Sequence, residues 1–272
     1  MRIFSEGSAY VGGMKALVYD GLVSAVSAAL DVLAFAPDAQ QQAVLSARSK
    51  RFLLNCTRQW GKSTTAAWKA AHRAVVQEDA LVILVSPTER QTGELFKKTG
   101  KALAALGFPR KSDGAHSLSW VLPNGSRILG LPGTEATVRG YSAANLVIVD
   151  EAARVEDELY RSLRPMLAVS DGDLMLLSTP FGERGFFWRE WTEGSEDWTR
   201  MSVTAEDCAR ISRRFLEEEW KALGEDWFRQ EYLCSFVAME NQAIRRQWLE
   251  TARAEGLNYK KLVVEGWRGL CL

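Results

Sequence analysis

Several short stretches in the middle of the chain are apolar without a break, and each ends at a polar residue or a glycine. They are Phe52–Leu54, Ala80–Val85, Leu146–Val149 and Leu174–Leu177. An uninterrupted apolar run of this length fits a strand covered on both faces, as in a parallel sheet. Helical stretches separate the runs. Ala66–Ala71 follows the first. Ser86-Pro87-Thr88-Glu89 reads as a capping box with proline at the first helical position, opening a helix that reaches about Leu106 and stops at Gly107. Asp157–Leu167 is helical with a late kink at Pro165. This alternation predicts an α/β fold: a doubly wound, mostly parallel sheet with right-handed connections.

The rest of the pattern adds to this frame. Ser117–Leu122 and Ser126–Leu131 flank Pro123-Asn124-Gly125, which predicts a hairpin. Phe186-Phe187-Trp188 and Trp191 lie on a short helix, and Trp198–Val203 forms another strand. Upstream, Leu22, Val26, Leu30 and Leu33 make residues 16–35 an amphipathic helix. Residues 1–13, ahead of a second methionine at Met14, read as a loose tail. Pro37-Asp38 ends the amphipathic helix, and Asp38 caps a second one, Ala39–Ala47. Beyond Val203 the pattern turns helical: Ser212–Leu223 and Asp226–Phe236, split by Gly224, then Asn241–Glu255. The resulting division is an N-terminal tail and helix (1–36), a core (37–203) and a helical lid or linker region (204–272).

Composition narrows the function classes. Lys+Arg and Asp+Glu number 34 each, so no global charge draws the chain to a polyanion, and any basic track for DNA is local. Cys56, Cys208, Cys234 and Cys271 are scattered, which indicates neither a zinc site nor a disulfide framework and fits a reducing cytosol. No apolar run approaches the ~20 residues that span a bilayer. The N-terminal residues Met1–Glu6 lack a signal-peptide core. Most of the 10 tryptophans read as packing residues.

The candidate chemistry sits at the ends of the apolar runs, where open α/β sheets bind ligands. Asn55–Thr64 runs from a strand through a tight loop into a helix. In that setting Thr57, Arg58, Gln59, Trp60, Gly61, Lys62, Ser63 and Thr64 form a phosphate cradle. Lys62 reaches the β- and γ-phosphates, and the Ser63 hydroxyl ligates Mg²⁺. Cys56 stands where the usual pattern opens with glycine. Trp60 either shields phosphate or packs. Asp150 ends a strand and serves the Mg²⁺ shell with Ser63, while Glu151 is the general base for a water attacking the γ-phosphate. The bland alternative for this acid pair is two solvated carboxylates opening a helix. Phosphoryl transfer needs a further cation at the γ-phosphate, and Arg58 and Arg139 are both candidates. Ser178 and Thr179 either sense the γ-phosphate or simply end a strand. Gln40, Gln41 and Gln42 are either a solvated helix face or a source of an amide that pairs with adenine. His72 and His116 have no partner at ligand spacing.

Together these residues resemble a known family, the large terminase subunit of tailed bacteriophages. Cys56–Thr64 resembles its deviant Walker A motif, and Val147–Ala153 its Walker B motif. Pro37–Gln41 resembles its adenine-reading glutamine motif with Gln41 aligned, and Val138-Arg139-Gly140 its arginine-finger loop. Ser178-Thr179-Pro180 resembles its coupling motif, and Phe228–Phe236 the lid segment near the end of its ATPase domain. The ordered motifs extend over about 200 residues, and each supports the others. The resemblance implies a P-loop NTPase of the RecA/ASCE type using ATP and Mg²⁺. It implies a motor that forms a transient ring on the portal protein, works with the small terminase subunit, and drives double-stranded DNA into a procapsid in the host cytoplasm. It also implies a nuclease domain with clustered aspartates. After Asp226 the chain has no aspartate, so nuclease activity is not expected from it. A helicase-like remodeller and an ATP-switch scaffold assembling on a portal or DNA are the alternative readings.

Overall fold

The computed structural model describes residues 36–114, 116–132 and 140–238. The expectations for the N-terminal tail and helix, Arg139, and the helix over residues 241–255 lie outside these residues.

Seven strands form one sheet: β1 (Arg51–Cys56), β2 (Leu81–Ser86), β3 (Ser119–Val121), β4 (Arg127–Pro132), β5 (Leu146–Asp150), β6 (Asp173–Ser178) and β7 (Trp198–Val203). Their order is β3-β4-β2-β5-β6-β1-β7. All neighbours pair in parallel except β3 with β4, the hairpin predicted around Asn124-Gly125. β6 lies between β1 and β5, so the loop after β1 and the acids ending β5 face each other across one strand.

Side chains alternate between two cores. Phe52, Leu54 and Cys56 of β1 pack on one face with α1 (Ala39–Ser46), α2 (Lys62–Val76) and α3 (Glu89–Ala105). Leu53 points to the other face, among residues of α4 (Asp157–Leu163) and α5 (Gly185–Thr192). With helices on both faces, the inner strands β2 and β5 are buried throughout, which accounts for their unbroken apolar sequence. A smaller cluster, Ala205, Phe228 and Tyr232, joins α7 (Glu225–Tyr232) and the neighbouring α6 (Arg213–Leu223) to the end of the sheet.

Three local expectations are corrected. The cap of α3 is Thr88, whose side chain accepts from the Gln91 N–H. Ser86 is the last residue of β2, paired with β4, and is buried with its hydroxyl unbonded. Strand pairing therefore outweighs the local capping signal. The Asp157 helix is regular only to Leu163 and continues as a 3₁₀ turn, Arg164–Leu167, containing Pro165. Helix α7 stops at Tyr232, four residues before Phe236. Cys234 takes a left-handed φ of 55°, and the Ser235 N–H returns to the Arg229 carbonyl at 3.0 Å.

Candidate functional site

The loop between β1 and α2 turns at two residues, Gln59 with φ 63° and Gly61 with φ 101°. Cys56 is still in the strand and buried. The glycine usually found there is dispensable because the backbone at this position stays extended. Burial pushes the Cys56 thiol up, so it acts as an apolar filler. The Thr57 N–H donates to the Val203 carbonyl at 2.9 Å, and its hydroxyl to the Glu231 carbonyl at 3.0 Å. The Trp60 side chain is fully buried in the core beside α2. Of the two readings of Trp60, packing holds, and only its backbone faces the loop. Its carbonyl accepts from Gln41 Nε2 at 2.9 Å and from the Arg210 guanidinium, which also pairs with Asp38 at 3.1 Å.

Gln41 uses both ends of its amide. Besides holding Trp60, its oxygen accepts from the Asp38 N–H at 3.0 Å, closing a capping box on α1. Asp38 thus caps α1 as expected, while the Gln41 carboxamide is engaged with protein, and pairing with adenine requires exchanging one of these bonds. By contrast, α2 begins at Gly61 with no side-chain cap. Its first N–H groups and positive dipole end are left for an anion.

Asp150 and Glu151 meet this helix start. Asp150 is buried and accepts from the Glu151 N–H at 3.0 Å. Burial raises its pKa above the usual carboxylate value, against the pull of Lys62 and Ser63. Glu151 has a left-handed φ of 55°, a conformation that costs a non-glycine residue about 1–3 kcal/mol and concentrates at functional sites. This turn brings its carboxylate to Lys62, Oε1 to Nζ at 2.9 Å. Burial works against the Lys62 ammonium, but Cys56, Glu151 and Asp150 together outweigh it and raise its pKa. The acids are therefore partners of the loop, not a solvated pair.

Three further residues complete the cluster. Arg154, in the 3₁₀ turn Ala152–Arg154, reaches Glu151 Oε2 at 3.1 Å, Thr179 Oγ1 at 3.0 Å and Glu231 Oε1 at 3.2 Å. Glu231 of α7 is 4% exposed and takes Arg58 Nε on its other oxygen at 2.6 Å. Arg210 pins the loop as described. The signal for Glu231 was present in the lid segment Phe228–Phe236: an acid buried in an aromatic helix needs a cation. Arg154 and Arg210 had no signal beyond sequence proximity to Glu151 and to β7. Ser178 is buried with its hydroxyl unbonded, next to Asn55 in register, whose Oδ1 is also unbonded. Thr179 is the member of that pair in contact with the charged cluster.

A strand with a phosphate-type loop, an acid-tipped strand one position removed, and a parallel sheet between helices define a P-loop NTPase-like α/β protein. Residues 53–251 match the family described as "Terminase large subunit, T4likevirus-type, N-terminal", and the chain belongs to that family. The large terminase subunit of Escherichia phage T5 is 25% identical over 218 residues, covering 76% of this chain and 49% of the relative. The chain thus spans about half the length of that relative. The large terminase ATPase domain of Thermus phage P74-26 has a similar fold, with a TM-score of 0.65 at 22% identity over 76% of this chain and 97% of that one. So does the large terminase of bacteriophage D6E in complex with ADP, with a TM-score of 0.61 at 13% identity over 73% of this chain and 53% of that one.

Proposed function

We propose that this chain hydrolyses ATP and supplies the power stroke of a viral DNA-packaging motor. The observation that carries the reading is the convergence of Lys62, Glu151, Asp150 and Ser63 at the uncapped start of α2. Residues 37–203 are the ATPase core and 204–238 the beginning of the lid. The α2 N–H groups and Lys62 hold the β- and γ-phosphates. Ser63 and Asp150 are hard oxygen donors that would hold a Mg²⁺ ion, which would supply counter-charge to the phosphate oxygens. Glu151 accepts the proton of a water whose oxygen bonds to the γ-phosphorus. The bond from that phosphorus to the β–γ bridging oxygen breaks, and ADP leaves. Arg58 flanks the phosphates, and Arg139 reaches the γ-phosphate from a neighbouring subunit of a ring. Double-stranded DNA, a portal protein and a small terminase subunit are the partners, with the host cytoplasm as the setting.

Steady-state hydrolysis of MgATP by the purified chain, with and without double-stranded DNA, tests this reading. Turnover that requires Mg²⁺ is the expected result; folded protein that neither binds nor hydrolyses MgATP overturns it.

Gln41 serves the site by holding the loop. Gln41→Ala is expected to weaken MgATP and MgGTP binding to a similar extent, by several-fold, about the effect of one lost hydrogen bond of 0.5–1.5 kcal/mol. Titration of both nucleotides checks this. A loss confined to ATP would instead make Gln41 an adenine reader.

A further inference from the structure

Without nucleotide, each oxygen of the Glu151 carboxylate is bound to a different cation, Lys62 and Arg154. A triphosphate claims Lys62, because a buried ammonium at the start of α2 is the natural counter-charge to phosphate. Arg154 then remains as the cation holding the base. Its guanidinium does more than pair with Glu151. The same planar fork donates to Thr179 at the end of β6 and to Glu231 on α7. Its Cζ lies 4.8 Å from the centre of the Phe181 ring, on the loop that follows Thr179. Lysine, a single point charge, cannot make this set of contacts.

Glu231 ties this guanidinium to the lid. Its second carboxylate oxygen binds Arg58 of the phosphate loop, and its own carbonyl accepts from Thr57. The neighbouring Gln230 Oε1 accepts from the Gly182 N–H at 2.9 Å, so α7 is bonded directly to the loop after β6 as well as to Arg154. Lys62, Glu151, Arg154, Glu231 and Arg58 thus form one line of alternating charge from the phosphate loop through the base to the lid helix. Moving α7 away withdraws Glu231, frees Arg154 and releases Glu151.

We infer that Arg154 is the positioning residue for Glu151, and that through Glu231 it makes hydrolysis depend on a docked α7. The inference rests on the ATPase reading above and goes beyond it by assigning roles to Arg154 and Glu231 that the motif resemblances do not give. Glu151 is the group that meets the water; Arg154 acts through it.

The test uses the full chain and two readouts, kcat for MgATP hydrolysis and the equilibrium Kd for MgATP. Arg154→Ala is expected to lower kcat by about 10²-fold, the cost of misplacing a reacting group by an ångström, with Kd within about threefold of the parent. Arg154→Lys keeps the charge and recovers part of kcat. Glu231→Gln lowers kcat as well, and the Arg154→Ala/Glu231→Gln double variant is no slower than Arg154→Ala alone, because both changes cut the same connection. If Arg154→Ala does not fold, Arg154→Gln carries the same comparison. A kcat within about twofold of the parent overturns the inference, as does a Kd that worsens in step with kcat or an additive double variant. When the parent turns over MgATP, those outcomes leave the ATPase reading standing. A folded parent that does not turn over MgATP removes both.

Discussion

Glu151→Gln is expected to slow ATP turnover by about 10³-fold, within the range for loss of a general base, while MgATP binds at least as tightly as to the parent chain. The two halves of this result have separate causes. Glutamine cannot take the proton of the attacking water, so the chemical step fails. In the nucleotide-free chain, though, the Glu151 carboxylate occupies Lys62 at 2.9 Å and competes with the incoming phosphates for that ammonium. A neutral amide competes less, and the affinity holds or rises. Single-turnover hydrolysis together with calorimetric titration separates the two. A variant that still hydrolyses at the parental rate means that another group takes the proton. One that loses its affinity means that Glu151 holds the loop in shape rather than opposing the nucleotide.

The second large effect is expected from Gly61→Ala. Gly61 has φ 101°, a conformation that an L side chain rarely adopts. A Cβ there would lie 2.9 Å from Gln41 Nε2. The amide can move aside only by giving up the Trp60 carbonyl, which it holds at 2.9 Å. Strain and lost bonding together cost about 1–3 kcal/mol of folding stability. The loop that cradles phosphate loses its shape at the same time, so MgATP affinity falls by more than tenfold, one such decade being about 1.4 kcal/mol. Urea unfolding and nucleotide titration on the same preparation check both. Parental stability and affinity in Gly61→Ala would show that neither the backbone angle nor the Gln41 contact matters.

The parts of this arrangement that were legible in the sequence are those governed by short-range rules. Strands buried on both faces leave unbroken apolar runs, so β2 and β5 were visible directly, and the ends of β1, β5 and β6 marked where the chemistry gathers. The Asp38 cap was legible because a capping residue and its helix are neighbours in sequence. Ser86 was misassigned for the opposite reason: its local pattern is that of a cap, while its place is fixed by pairing with β4, more than forty residues away in the chain. Trp60 sits among loop residues, yet its indole belongs to the core, and nothing in its immediate sequence states which side of the loop it faces. Arg154 and Arg210 were invisible because their roles depend on contacts across the fold. A surface-type residue becomes a site residue only when the topology delivers its partner.

The tie between the phosphate loop and the last described helix has a consequence for how the protein is made. Thr57, Arg58 and Asn55 bond to residues 174, 173 and 179 positions further along the chain. Contacts of such separation close late, since the intervening chain must first lose its freedom. On a ribosome, the sheet strands β1 to β6 emerge well before Glu231 and Cys234 exist to hold the loop. The nascent chain therefore passes through a stage with its central strands synthesised and its nucleotide cradle still unbraced, and acquires a finished cradle only after the segment around Cys234 has left the exit tunnel.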